Sequence, residues 1–150
     1  MHIIYTQRKP LDAATEGQLN ATYVTLDELL AQSDVLTIHA PLTDETHHLL
    51  GAPEFKKMKD SAYLINAARG PVIDEAALLD ALHAHQLAGA ALDVYETEPH
   101  VDDGFKALDN VILTPHVGNA TVEARDAMAE IVAKNAVRVA QGEEPLHVVN

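Results

Sequence analysis

Four short apolar runs in this chain each give way to a polar cluster. Val35 to His39 (VLTIH) leads into His39-Ala40-Pro41-Leu42-Thr43, and Tyr63 to Asn66 (YLIN) leads into Asn66-Ala67-Ala68-Arg69-Gly70. Ala90 to Val94 (AALDV) runs into Asp93-Val94-Tyr95-Glu96-Thr97-Glu98-Pro99, and Val111 to Leu113 (VIL) into Thr114-Pro115-His116-Val117-Gly118. If the runs are parallel strands, all four ends lie along one edge, and an arginine, several acids and a histidine meet there. A guanidinium can hold a carboxylate through two parallel hydrogen bonds. A histidine held by a carboxylate can donate a proton near neutral pH. Taken singly, an arginine after a strand is ordinarily a surface residue, a glutamate in an acidic loop is solvated, and a lone histidine is structural. Their occurrence together, in order and at strand ends, points to a site.

The elements that must position these residues alternate between strand and helix. His2 to Tyr5 and Thr22 to Val24 read as two further strands. Several of the six runs are continuously apolar, as strands buried on both faces of a parallel sheet are. Thr25-Leu26-Asp27-Glu28 is a capping box that opens the helical run LDELLAQ. Asp74 can cap a helix over Glu75 to His85, and Pro53 suits the first turn of a short helix through Met58. The longest helix is expected over Thr121 to Gln141, ended by Gly142. Its face of Ala124, Ala127, Met128, Ile131 and Val139 should pack, with Glu123, Asp126, Glu130 and Lys134 opposite and Asn135 interrupting the apolar side. The pattern predicts an α/β domain with a mainly parallel sheet. Glu96 to Lys106 shows no periodicity and follows a strand end, where such sheets place their sites.

Composition narrows the function classes. The chain has 150 residues, with 10 Lys and Arg against 23 Asp and Glu, for a net charge of −13. That charge argues against a nucleic-acid or anionic-membrane surface, which needs a basic patch. An apolar fraction of 47% suits one soluble globular domain rather than a disordered chain. Cysteine is absent, which excludes disulfides, thiol nucleophiles and cysteine-ligated metals and fits a cytoplasmic location. The apolar runs are too short to span a bilayer, and Met1-His2-Ile3-Ile4 lacks the layout of a signal peptide. His47-His48 and His83-Ala84-His85 lack the i,i+4 spacing of a metal pair and read as surface or cap residues, so no metal is expected.

The segments HAPLTDETHHLL, LINAARGPVIDEAALLDAL, LAGAALDVYETEP, NVILTPHVGNAT and the ending PLHVVN together resemble the D-isomer-specific 2-hydroxyacid dehydrogenases over nearly the whole chain. The resemblance implies a Rossmann-type doubly wound parallel sheet and NAD(P)-dependent reduction of a small 2-keto acid, of the glyoxylate or hydroxypyruvate kind, to a D-2-hydroxy acid. By position, Arg69 matches the family's substrate-binding arginine, Glu98 its catalytic acid and His116 its proton donor. The implied roles are that Arg69 grips the substrate carboxylate and polarises the carbonyl, the nicotinamide delivers hydride, His116 protonates the alkoxide, and Glu98 orients the imidazole. Asp93 matches the contact to the nicotinamide carboxamide. Ala40, Pro41 and Thr46 match the loop beside the adenosine half and pyrophosphate, and Ala67 and Ala68 the backbone under the nicotinamide ribose and ring. Gly118 of TPHVG joins these cofactor-binding positions. Glu98 favours this reading over the related formate dehydrogenases, which carry Gln there. The family's corepressor relatives keep Arg, Glu and His, so a non-catalytic Rossmann-like interaction module is the alternative.

In the turn after the first strand, Gln7 stands where the family often has an acid that accepts the ribose hydroxyls of NAD. Arg8 or Lys9 beside it could attract a 2′-phosphate, so NADP is expected ahead of NAD. No GxGxxG occurs in the chain. Residues 1–150 therefore read as part of an NAD(P)-binding domain, with the family's C-terminal helix and tail. The sheet is truncated at its N-terminal side: the first strand and Gly-rich loop are absent, and so is the substrate domain. On this reading Met1 is an internal methionine taken as a start. In the strand order 3-2-1-4-5-6, loss of strand 1 leaves strands 2 and 3 apart from 4, 5 and 6, with bare edges facing a gap. The isolated chain is expected to be weakly active or inactive, and the full-length form a homodimer.

Overall fold

The protein is described by a computed structural model over residues 1–148; the last two residues of the PLHVVN ending lie outside the described residues. The chain divides into two compact units, Met1–Pro115 and His116–Asn150, where the composition suggested one domain.

The first unit holds six strands in two wholly parallel sheets. β1 (Ile3–Tyr5) pairs with β2 (Ala21–Tyr23), and β3 (Val35–Ile38), β4 (Tyr63–Asn66), β5 (Gly89–Leu92) and β6 (Val111–Leu113) pair in chain order. This is the expected parallel α/β architecture, and the two strand groups do stand as separate sheets rather than closing into one. Ile4, Val24 and Leu26, from and beside the small sheet, still pack against the common core.

Register explains which residues are buried. Leu36, Leu64 and Ala90 align across β3 to β5, and so do Ile38, Asn66 and Leu92; all six are buried. The alternate positions form the other face, where Val35 is 56%, Tyr63 53% and Ile112 67% exposed. The expectation of strands buried on both faces is thus corrected. An apolar run shows that both faces could be covered, but only a layer packed on a face buries it.

The buried face meets α2 (Leu26–Gln32), α3 (Ala52–Phe55), α4 (Glu75–His83) and α5 (Asp103–Lys106) through a cluster that includes Leu30, Phe55, Leu78, Leu82 and Phe105. Each such side chain contributes about 1.5–3 kcal/mol by leaving water. Local signals set the helix starts. Thr25 accepts from the Glu28 N–H while Glu28 accepts from the Thr25 N–H, the predicted capping box, and Asp74 caps α4 through Ala77 N–H. Two helices went unread in the sequence. α1 (Ala13–Leu19) buries none of its residues and so carries no apolar stripe, and the single turn of α5 is too short to display a period.

In the second unit, α6 (Val122–Ala140) starts at Thr121, which accepts from Ala124 N–H, and gives way after Gln141 to Gly142 at φ 77°. Lys134 and Glu130 pair at 2.6 Å as their spacing predicts. The packed apolar face does not materialise: α6 buries no residue, with Met128 50% and Val132 69% exposed. Asn135, read as an interruption of that face, has a structural task. Its side chain donates to Leu146 O at 3.1 Å and accepts from Leu146 N–H at 2.7 Å, so the tail folds back along the helix.

Candidate functional site

The four-stranded sheet brings the ends of β4, β5 and β6 to one edge, and each end is shaped by a buried polar group. Asn66, 1% exposed, closes β4. Its amide donates to Arg69 O at 3.0 Å and its side-chain oxygen accepts from Ala68 N–H at 3.1 Å. One side chain thus folds Ala67-Ala68-Arg69 into a tight turn and turns the exposed Arg69 out at the edge. The sequence signal for this residue is an amide closing an apolar strand, where a buried polar group must find partners.

Beyond β5 the chain forms a second turn. Asp93 N–H donates to Asn66 O at 2.9 Å, and Thr114 Oγ1 donates to the Asp93 carboxylate at 2.6 Å, which ties together the ends of β4, β5 and β6. The buried Tyr95 hydroxyl is shared between Leu92 O at 3.0 Å and Thr114 O at 2.8 Å. Burial pushes this phenol up, and Asp93, Glu75 and Glu98 push it further, so it stays a neutral donor. Tyr95 N–H in turn donates to Glu98 Oε1 at 3.1 Å, which draws that carboxylate back over the turn.

The two turns touch. A Cβ built on Gly70 would overlap the Tyr95 carbonyl group and the Glu96 amide nitrogen. Glycine at this position lets the Arg69 turn lie flush on the turn that carries Glu98. The first unit therefore gathers Ala67, Ala68, Arg69, Asp93 and Glu98 at one sheet edge. His116 and Gly118 belong to the second unit; His116 adopts φ 53°, a region non-glycine residues seldom enter.

The remaining predicted residues lie in two other loops. Thr46 Oγ1 accepts from Thr43 N–H at 2.8 Å and donates to Pro41 O at 2.6 Å, which laces the loop that Ala40 and Pro41 begin. Gln7 donates to Lys9 O at 2.6 Å in the turn after β1. The carboxyl of Glu45 is held below its usual range, mainly by the Thr43 hydroxyl and its own backbone and in smaller part by the charge of Arg8. His48, read as a surface residue, is exposed, and its Nε2 lies 2.9 Å from Glu96 Oε1.

The family model described as D-isomer specific 2-hydroxyacid dehydrogenase, NAD binding domain, matches residues 1–118. The chain belongs to this family. A Staphylococcus aureus (strain USA300) protein named "Putative 2-hydroxyacid dehydrogenase" is 50% identical over 150 residues, which is 100% of this chain and 47% of that protein. The chain thus spans about half the length of the curated dehydrogenase relatives it matches. D-mandelate dehydrogenase of Rhodotorula graminis is 36% identical with a TM-score of 0.87, covering 100% of this chain and 44% of that one. An NADPH-dependent glyoxylate/hydroxypyruvate reductase from Sinorhizobium meliloti, solved with NADP and malonate, is 35% identical with a TM-score of 0.83, over 93% of this chain and 43% of that one. No helix among the described residues is long and apolar enough to cross a membrane.

The residues present suit the two ends of the family's dinucleotide. Gln7 and Arg8 offer an amide and a cation in the turn after β1, and Ala67 and Ala68 put only methyl groups at the end of β4. The pyrophosphate is less well served. The chain has no GxGxxG, and the first free N–H groups of α1 are taken by the Asp12 carboxylate, which accepts from Ala14 and Thr15 at 3.0 Å.

Proposed function

We propose that this chain is part of an oxidoreductase that reduces a small 2-keto acid, of the glyoxylate or hydroxypyruvate kind, to a D-2-hydroxy acid with NADPH in preference to NADH. Residues 1–150 then form part of its NAD(P)-binding domain with the C-terminal helix and tail, in a cytoplasmic enzyme whose full-length form is a homodimer. The observation that carries the reading is the contact of Gly70 with Tyr95 and Glu96, which sets a guanidinium turn against a carboxylate turn at one sheet edge. Arg69 holds the substrate carboxylate in a bidentate grip and draws charge from the keto oxygen. An imidazole nitrogen of His116 gives its proton to that oxygen as it becomes an alkoxide, and Glu98 orients the ring and stabilises its charged form. Ala40, Pro41, Thr46, Ala67, Ala68, Asp93 and Gly118 line the cofactor. When bound, the reduced nicotinamide supplies the hydride.

With only the two ends of the dinucleotide well provided for, the 150-residue chain should bind it weakly and turn over slowly. The test is titration of the folded chain with NADPH and NADH, followed by assay with glyoxylate and hydroxypyruvate. Weak binding that favours NADPH, and slow turnover abolished in Arg69→Ala and His116→Ala, is expected. Turnover near about 10 s⁻¹, the ordinary enzymatic range, would refute the slow fragment. A folded chain that binds neither dinucleotide would leave the non-catalytic interaction module.

A further inference from the structure

A cluster of acids and a histidine that the proposed reaction does not use is laced together beside Glu98. Glu96 Oε1 lies 2.9 Å from His48 Nε2 and also accepts from Glu75 N–H at 3.1 Å. Glu75 Oε1 returns the contact, accepting from Glu96 N–H at 2.8 Å. Glu75 and Glu96 thus grip each other's backbone, and the imidazole closes the grip from the loop before α3. That loop is itself anchored. His48 N–H donates to Pro71 O at 2.8 Å, φ at His48 is 50°, and its ring stacks on His47 with centroids 4.1 Å apart. Two segments distant in sequence, the His48 loop and the start of α4, therefore converge on Glu96, two residues before Glu98. Tyr95, its other neighbour, donates the N–H that Glu98 accepts.

The cluster is acidic. Burial raises the Glu75 carboxyl, and the charges of Glu96, Asp102 and Glu98 raise it further, against the hydrogen bond from Glu96 N–H. Two carboxylates held this close repel unless a cation or a proton offsets them. His48 faces Glu96 on one side and His47 on the other, and can supply that cation when protonated.

We propose that His48 is a positioning residue: paired with Glu96, it offsets the repulsion between Glu96 and Glu75 and holds the Tyr95–Glu98 turn in place, and loss of its proton loosens that turn. The role in catalysis rests on the function proposed above, whereas the clasp itself does not. The test is a ¹⁵N NMR titration of the 150-residue chain between about pH 8 and about pH 5, the range in which imidazoles take up a proton. The amides of Tyr95, Glu96 and Glu98 should move in step with the His48 ring. In His48→Gln that step should vanish, while His48→Lys, a cation that does not titrate in this range, should hold these amides at their low-pH positions throughout. Absence of the step in the unsubstituted chain, its survival in His48→Gln, or a lysine variant that behaves like the glutamine one would each overturn the proposal. If the chain reduces glyoxylate, His48→Gln should lower kcat on the order of 5-fold with KM for NADPH unchanged, and His48→Lys should restore it. If it reduces nothing, the functional reading fails, and the titration still decides the clasp.

Discussion

Gly70 lies against the peptide that joins Tyr95 to Glu96, with no room between them for a side-chain carbon. Both neighbours are backbone, so neither can swing aside as a flexible side chain would. Gly70→Ala should therefore push the Arg69 and Glu98 turns apart and cost about 1–3 kcal/mol, the usual penalty for overpacking. Urea unfolding of the two proteins measures it. A loss below the error of the method would show that the turns are not rigidly apposed.

Asn66 serves two backbone groups at once, Arg69 O and Ala68 N–H. Asn66→Ala leaves both unpaired in a partly buried turn and should destabilise the chain by about 1–2 kcal/mol, within the range for groups left without their hydrogen bonds. Asn66→Asp keeps the acceptor but loses the donor, and should also be destabilised. An alanine variant as stable as the parent would mean that water replaces the amide.

The carboxyl of Glu75 is raised above the usual glutamate range by burial and by the acids around it. The folded state then holds this proton more tightly than the unfolded state. Stability from this group is greatest at low pH. It declines as pH rises out of the ordinary carboxylate range, and levels once Glu75 is ionised in the folded protein too. Glu75→Gln retains the oxygen that accepts from Glu96 N–H and removes the ionisation. The urea midpoint of the parent relative to Glu75→Gln should therefore fall with rising pH; a constant difference would contradict the assignment.

Cofactor choice is tested at the turn after β1. On the proposed cofactor reading, Gln7→Asp sets a carboxylate against the 2′-phosphate and should lower the ratio of NADPH to NADH affinity on the order of 10-fold through charge repulsion. Fluorescence titration of both dinucleotides reads this ratio directly. An unchanged ratio would remove Gln7 from the cofactor site.

In the second unit, Asn135→Ala breaks both bonds to Leu146 while leaving α6 a good helix former in its place. The Leu146 amide should exchange with solvent on the order of 5-fold faster, as loss of about 1 kcal/mol of hydrogen bonding implies. The circular dichroism of the helix should not change. Equal exchange rates would show that the tail is held by other contacts.

The sequence determined what acts over a turn or two of chain. The Thr25–Glu28 box placed α2 at its observed bounds, Asp74 started α4, and YLIN and VIL marked β4 and β6 to the residue. The polar residues past the strand ends were legible because parallel strands must release them on a common edge; singling out Arg69, Asp93 and Glu98 among them rested on the family resemblance. The tertiary structure alone decided what joins segments far apart. The pairing of His48 with Glu96 spans 48 positions, Asn135 reaches Leu146, and Gly70 meets Tyr95. It also decided that one face of the four-stranded sheet stays exposed at Val35, Tyr63 and Ile112. The reason is physical: a cap or a strand run depends on neighbours within hydrogen-bonding reach along the backbone, whereas contacts between turns and the burial of a face depend on register and on which layer packs there, and neither is encoded in any one stretch of residues.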